Sequence, residues 1–222
     1  MTHMTQATNS PLGRKPEILA PAGTIETVAA VLEAGADAVY VGGKALNMRM
    51  HRATYNFDDR RLAEAIELAH GMGRKLLVTL NSLVLESELG LMRTTLEALG
   101  RLGPDALIVQ DLAVAAAARE TCVQIPLHAS TMLNVHSVET ATSLGLMGFK
   151  RAVVSRDISL EEVRLIGEAT GMEMECFVHG DMCISHSSQC HASGITFGES
   201  SNRGRCMKSC RWKWQLVSPE GE

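Results

Sequence analysis

Short apolar runs alternate with helical stretches along almost the whole chain, and few folds accommodate such a pattern. Seven runs predict β-strands, namely residues 18–20, 38–41, 75–80, 106–109, 126–129, 152–154 and 174–178. Residues 215–217 are a candidate for an eighth strand. Nearly every run is continuously apolar, which is typical of parallel strands buried on both faces. Between the runs, apolar residues recur at the spacing of an amphipathic helix.

The joints between helices and strands resemble one another. GADAVY begins at Gly35, GPDALI at Gly103 and GFKRAVV at Gly148, which indicates a short internal β/α repeat. Alternating strands and helices form either a doubly wound sheet or a closed barrel. Seven or eight units in 222 residues favour an α/β fold of the (β/α) TIM-like barrel type. Such a barrel typically needs about 250 residues, so we expect it to be incomplete at the C-terminus and the chain to be a fragment or a truncated protein.

Composition sets limits on location and partners. Residues 1–15 are polar, with Pro and Gly, and predict a disordered leader before a single barrel domain at 16–222. This leader has no apolar core of a secretory signal, and no apolar run is long enough to predict a membrane span. A reducing, cytoplasmic location is therefore expected. The net charge of −4 argues against general affinity for nucleic acids, although a local basic patch would still bind RNA.

Polar residues cluster where the predicted strands end, which is where barrels place their functional groups. Asn81, Asp111, Asn134, Arg156 and His179 follow five different strands. A loop after the second strand carries Arg49, and the fifth strand contains His128. Each has a structural alternative: Asp111 suits a helix cap, Arg156 suits an ion pair with Asp157, and His128 suits a satisfied core histidine.

The segment 175–211 holds five of the six cysteines and three of the eight histidines. Six residues separate Cys183 from Cys190, fifteen separate Cys190 from Cys206, and three separate Cys206 from Cys210. A reducing location disfavours disulfides, and structural zinc usually shows tighter ligand pairs. Iron–sulfur clusters tolerate irregular loops between thiolates, so the cysteine spacing favours a cluster over zinc by a narrow margin. Unligated buried cysteines are the remaining alternative.

Cations and aromatics interleave at the end of this segment. Arg205, Arg211, Trp212 and Trp214 suit RNA, with guanidinium groups on phosphates and indole rings stacked on bases. The alternative is a solvated basic loop whose tryptophans pack onto the barrel. RNA binding would weaken with salt, whereas quinone binding would not.

Several motifs together resemble the U32 peptidase family, often called collagenase-like proteases. They are EILAPAG, GADAVYVGG, GPDALIVQD, HAST, SRDISLEE, FVHGDMC and RGRCMKSCRW. The resemblance implies a 4Fe–4S cluster and hydroxylation without molecular oxygen of a tRNA uridine, an rRNA cytidine or the ubiquinone ring. It implies that Cys183, Cys190 and Cys206 are cluster ligands.

The fourth family ligand lies further downstream than this chain extends. We expect Cys210 to substitute for it, with Cys176 a weaker choice inside a strand. If Cys210 is only structural, a partner protein, a small molecule or solvent would fill the open iron position. The family usually has an aromatic-Ser-Gly before its second cysteine, where this chain has His186, Ser187 and Ser188.

Hydroxylation of an RNA base is the function expected from the resemblance. The expected catalytic groups are His179, Arg156 and Asn134. The expected substrate-binding residues are Arg49, Asn81, Asp111, His128, Arg205 and Arg211. The alternatives are ubiquinone hydroxylation, an RNA-binding module without catalysis, and the proteolysis that the family name implies. The sequence lacks the H-E-x-x-H and G-x-S-x-G protease motifs, and a cysteine that binds iron cannot attack a peptide.

Overall fold

The computed structural model of the protein describes residues 15–180 and 182–218, so most of the predicted leader lies outside the described residues. Seven strands form one sheet in sequence order, and each neighbouring pair is parallel. The strands are β1 Leu19–Pro21, β2 Ala38–Gly42, β3 Lys75–Leu80, β4 Ala106–Val109, β5 Leu127–Ala129, β6 Phe149–Val153 and β7 Glu173–Glu175.

A helix follows each strand. The helices are α1 Ile25–Glu33, α2 Asp59–Gly71, α3 Leu89–Leu102, α4 Leu112–Thr121, α5 Val138–Leu146, α6 Leu160–Thr170 and α7 Ala192–Phe197. Several begin at side-chain caps, because a hydroxyl or carboxylate oxygen accepts an otherwise unpaired N–H of the first turn. A capping box begins α6: Ser159 Oγ accepts from Glu162 N, and the Glu162 carboxylate accepts from Ser159 N.

The sheet is buried on both faces, as the apolar runs predicted. Its outer face packs against the helices through residues such as Val39, Leu76 and Leu107 in the main core. The inner face carries a smaller apolar cluster that includes Ala38 and Leu77. Consecutive strand residues point to opposite faces, so each strand contributes to both cores.

The strands curl into a half-barrel rather than a closed one. Among the described residues, β7 does not pair with β1. The curl nevertheless brings β6 near the start of the chain's first strand, since Arg151 Nη1 lies 2.9 Å from Glu17 Oε1. The barrel-type fold is therefore confirmed. No helix of the described chain is long and apolar enough to cross a membrane.

Two strand predictions at the C-terminal end are wrong. Residues 215–217 form no strand, and Leu216 is 98% exposed. The seventh strand ends at Glu175 instead of at residue 178. Beyond Glu175 the backbone leaves the sheet, and Val178 is 95% exposed. An apolar run alone therefore did not define a strand here, because these residues have no neighbouring strand with which to pair.

Candidate active site

A cavity of about 250 Å³ opens at the C-terminal ends of the strands. Its polar or aromatic lining includes Tyr40, Arg49, Asn81, Ser130, Arg156, Glu175 and Phe177. A second cavity of about 490 Å³ adjoins it, because Met48 and Arg49 line both. Cys206 lines this second cavity. We call the two together the mouth cavity. The cysteine-rich segment and the strand ends thus line two adjoining cavities.

Arg49 is held between the two halves of the mouth cavity. Its Nη1 donates to the carbonyl oxygen of Ala22 at 2.7 Å, just after β1. Its guanidinium carbon lies 5.2 Å from the centre of the Tyr40 ring, an arrangement that favours a cation–π interaction. Asn47 Oδ1 fixes the local turn by accepting from Arg49 N at 2.7 Å. Arg49 therefore presents a positioned positive charge in the cavity, and its role in substrate binding stays a prediction.

Asn81 bridges two loops at the floor of the mouth. Its Oδ1 accepts from Met48 N at 3.2 Å, and its Nδ2 donates to Ser130 Oγ at 3.3 Å. Both amide ends are thus engaged. Asn81 lies in the cavity as predicted, and its hydrogen bonds also hold the loops after β2, β3 and β5 together.

Asn134 and Arg156 anchor the loop between Cys183 and Cys190. Arg156 Nη2 donates to Ser187 Oγ at 2.7 Å, and Asn134 Nδ2 donates to the carbonyl oxygen of Ser187. Ser187 is only 4% exposed, while Arg156 and Asn134 are half-buried, so the contact is partly buried. Arg156 also lies over the Phe177 ring at 5.9 Å. The structure therefore gives both predicted catalytic residues a role in positioning the cysteine loop.

Glu175 was not predicted as a site residue, yet its side chain lines the mouth cavity. Burial raises the pKa of its carboxyl group, against the opposing effect of Arg151, whose Nη1 lies 3.5 Å from Glu175 Oε2. A raised pKa in a cleft is typical of groups that hold or transfer a proton. Its position within an apparently apolar run hid it from sequence analysis, although it ends a barrel strand.

His128 lies inside the barrel and is not among the residues that line the mouth cavity. It is 7% exposed, and its Nδ1 is buried without a hydrogen-bond partner in the described structure. Burial lowers its pKa to about 4, and the charge of Arg151 adds to that effect. The core alternative thus agrees better with its position than substrate binding does.

The remaining predicted residues lie elsewhere. Asp111 caps α4, and its two carboxylate oxygens accept from Ala113 N at 2.8 Å and Val84 N at 2.9 Å, as the helix-cap alternative expected. His179 is exposed on the loop after β7. Arg205 is exposed and lies 3.5 Å from Glu199. Arg211 donates to the carbonyl oxygen of Met182, so its contact joins the two ends of the cysteine-rich segment.

The cysteines of the segment form no disulfide within the described residues. Cys183, Cys206 and Cys210 are exposed, and Cys190 is half-buried. The Arg211–Met182 contact joins the chain neighbours of Cys210 and Cys183. Ser201 Oγ donates to the carbonyl oxygen of Cys190 at 2.5 Å. This hydrogen bond joins the backbone of Cys190 to a later part of the cysteine-rich segment.

The thiols of this segment are donors of the type that iron–sulfur clusters use. Soft thiolate ligands select Fe–S clusters, zinc or Cu(I) over hard cations. Lys208 N lies 3.4 Å from Cys206 Sγ and donates to it, and hydrogen bonds to sulfur are one means by which proteins tune such clusters. Among the described residues, no three thiols lie as close together as the ligand atoms of one ion. A single thiolate-bound zinc ion is therefore not preformed.

The aromatic residues at the end of the segment pack on one another. Trp212 and Trp214 stack with ring centres 6.3 Å apart, and Phe197 meets Trp212 at 5.4 Å. Trp214 Nε1 donates to the carbonyl oxygen of Ser209 at 2.9 Å. Trp214 nevertheless remains 70% exposed. Among the residues that the structure describes, the rings thus pack within the cysteine-rich segment and not onto the barrel as the alternative expected, and Trp214 leaves an aromatic surface open to solvent.

Comparison with known proteins places this geometry in context. Residues 23–222 match the model of peptidase family U32. The chain is 37% identical to "23S rRNA 5-hydroxycytidine C2501 synthase" of Escherichia coli (strain K12), covering 92% of this chain and 30% of that protein. It is 33% identical to "tRNA hydroxylation protein P1" of Bacillus subtilis (strain 168), covering 94% and 49%. "Collagenase" of Porphyromonas gingivalis (strain ATCC BAA-308 / W83) is 32% identical, with 88% and 49% covered.

The chain therefore spans half or less of the length of these curated relatives. Among solved structures, "The Structure of the U32 Peptidase Mk0906" matches with a TM-score of 0.62 at 15% identity, covering 79% of this chain and 73% of that one. A thiamine phosphate pyrophosphorylase from Pyrococcus furiosus matches with a TM-score of 0.51 at 17% identity, covering 72% and 74%. At these identities the two structures support the barrel fold alone.

Proposed function

The chain belongs to peptidase family U32, and on that premise we propose that it is the barrel part of an iron–sulfur protein that hydroxylates an RNA base without molecular oxygen. The observation that carries the proposal is the position of Cys206 on the mouth cavity, beside Arg49. Two relatives named for RNA hydroxylation support an RNA substrate. The expected reducing compartment keeps the thiols free.

The mouth cavity suits a flat ring that has been turned out of a single strand. RNA-binding proteins stack such bases on aromatic rings or guanidinium planes and bond to their polar edges. Tyr40 with Arg49 and Phe177 with Arg156 provide two stacked cation–aromatic pairs in the lining. The net charge of the chain is −4, so we assign attraction of phosphate groups to the local basic side chains of the cysteine-rich segment.

Cys183, Cys190 and Cys206 would hold the 4Fe–4S cluster, with Cys210 as the proposed fourth ligand. When bound, the cluster supplies one-electron chemistry at the mouth of the barrel. Glu175 lines the cavity that would receive the ring, and burial raises the pKa of its carboxyl group. Arg49 orients the ring, and Arg156 and Asn134 keep the cysteine loop over the cavity.

Proteolysis receives less support from the geometry. A Cys–His nucleophile needs the two side chains within hydrogen-bonding reach of each other. In the described part of the chain, no hydrogen bond joins His179 to Cys183. What favours it is the name of the family and of the relative called "Collagenase".

A deletion strain complemented in turn with the wild-type protein, Arg49→Ala and Arg164→Gln tests this function. Arg164 pairs with Glu161 and Glu168 on the exposed face of α6, so its variant is the control. Mass spectrometry of tRNA and rRNA nucleosides should show loss of one oxygen-bearing nucleoside in the deletion and Arg49→Ala strains only. Unchanged RNA together with altered quinones would instead establish the ubiquinone alternative.

A further inference from the structure

Three side chains of types that can bind metal ions meet on the rim from separate loops, outside the four-cysteine set. His136 precedes α5, Asp157 precedes α6, and His186 lies between Cys183 and Cys190. Their ligand atoms all lie within 4.8 Å of one another. His136 Nε2 is 3.2 Å from Asp157 Oδ1, and His186 Nδ1 is 3.1 Å from Asp157 Oδ2. We call these three residues the rim triad.

We propose that the rim triad is a binding site for one divalent transition-metal ion of the zinc class. Zinc bonds of about 2.0–2.1 Å to nitrogen and oxygen place tetrahedral ligand atoms about 3.3 Å apart. Each histidine nitrogen lies at about that distance from one oxygen of the Asp157 carboxylate, His136 from Oδ1 and His186 from Oδ2. Imidazole and carboxylate ligands suit zinc, iron and nickel. Three protein ligands leave a coordination position open.

The hydrogen bonds around His136 favour a cation between the ligands. His136 Nδ1 lies 2.6 Å from the carbonyl oxygen of Asn134 and must donate to it, because a carbonyl oxygen only accepts. The opposite nitrogen, Nε2, therefore has a lone pair facing the Asp157 carboxylate unless it carries a second proton. Two acceptors at 3.2 Å repel each other, and either that proton or a metal ion resolves the repulsion.

The supporting contacts are those of metal ligands. Metal-bound histidines usually donate their other ring N–H to a carbonyl or carboxylate, as His136 does, and bound carboxylates are themselves hydrogen-bonded. Ser155, 5% exposed, donates from Oγ to Asp157 Oδ1. This fixes the carboxylate before any ion arrives. The triad side chains are 39–58% exposed, so ions reach the site directly from solvent.

Binding would fasten the loop that carries Cys183 and Cys190 to the loops after β5 and β6. His186 comes from the cysteine loop, whereas His136 and Asp157 belong to the barrel body. The ion would thus reinforce the partly buried contacts that Arg156 and Asn134 make with Ser187. None of the four cysteines takes part, so this inference is independent of the proposed cluster.

Cobalt(II) titration followed by electronic absorption tests the site. Thiolate ligation produces a sulfur-to-cobalt charge-transfer band, whereas nitrogen and oxygen ligands give only d–d bands, so the two kinds of site are distinguished in one spectrum. The whole chain is compared with His136→Gln, His186→Gln and His70→Gln. His70 is the matched control, because its Nε2 also meets an aspartate, Asp105, at 2.9 Å, but without a second histidine.

We expect the rim triad to bind one equivalent of cobalt, seen as d–d bands that zinc abolishes. Both triad variants should bind it at least 10-fold more weakly, while His70→Gln binds as the wild type does. Thermal unfolding in the presence of a chelator checks that each variant is folded. If one of the two triad variants is not folded, the other provides the test. Three results would overturn the proposed site: equal cobalt affinity in all four proteins, cobalt uptake with a charge-transfer band only, or no cobalt uptake. The rim triad would then be an ion-paired cluster without a metal ion.

Discussion

The backbone of Gly204 lies directly against the carbonyl oxygen of Asn47, with no room for a β-carbon between them. Gly204 also has a φ of +78°, a conformation that other residues adopt at a cost. Its carbonyl oxygen accepts from His51 N at 3.1 Å. This contact docks the chain before Cys206 onto the loop after β2, and so fixes that thiol on the mouth cavity.

Replacing Gly204 by Ala should undock the Cys206 loop. The new methyl group would overlap the Asn47 carbonyl, and we expect the free energy of unfolding to fall by about 1–3 kcal/mol. Gly194→Ala is the control, because a β-carbon there meets nothing within 4 Å. Urea denaturation of both variants measures the difference. Equal stability would show that the loop does not depend on this close approach.

Ser188 has a φ of +59°, although it is not glycine. The left-handed conformation costs about 1–2 kcal/mol for such a residue, whereas the added chain entropy of glycine costs about 0.5–1 kcal/mol. Ser188→Gly should therefore raise the free energy of unfolding by about 0.5–1 kcal/mol. Ser185→Gly, whose φ is not positive, should lower it. Denaturation curves in which both variants lose stability would contradict this explanation.

The lowered pKa of His128 predicts that the protein loses stability in mild acid. Its folded pKa is about 4, below the ordinary value of 6.5, so the unfolded chain binds the proton more readily. The free energy of unfolding that depends on the neutral His128 ring is therefore fully present above pH 6.5, and it is lost as the pH drops toward 4. The loss reaches about 3 kcal/mol at about 1.4 kcal/mol per pH unit.

Urea denaturation between pH 7 and pH 4.5 measures this slope. His128→Gln should flatten it, whereas His51→Gln, on the exposed loop after β2, should leave it unchanged. A slope in His128→Gln equal to that of the wild type would assign the acid sensitivity to other groups.

Much of the fold followed from the apolar pattern. The strands β3 and β4 have the predicted bounds, because each is a continuous apolar run closed by polar residues. The prediction for β6 began three residues late, since Lys150 and Arg151 made the start of that strand look polar. In the structure, the side chain of Arg151 is 13% exposed and is paired with Glu17 and Glu173. Such ion pairs inside a barrel have no signature in hydrophobic periodicity.

The candidate site was predictable only in part. Arg49 and Asn81 were identified because they follow strands, and both line the mouth cavity. Glu175 was missed because it lies in a run taken as apolar. The rim triad was missed because its three residues come from separate loops, and their proximity depends on the curl of the sheet. The hydrogen bonds of Ser187 likewise depend on loop conformation that spacing does not encode.

Iron and acid-labile sulfide per chain test the central claim most directly. The wild type, Cys183→Ser, Cys210→Ser and the control Cys122→Ser, which changes a buried cysteine outside the segment, are reconstituted side by side without oxygen. We predict four iron and four sulfide per chain for the wild type and Cys122→Ser, and near-complete loss of both in Cys183→Ser and Cys210→Ser, as for any 4Fe–4S cluster on four thiolates. Retention of iron and sulfide in Cys183→Ser, or zinc in the wild type that is lost in Cys183→Ser, would contradict the account.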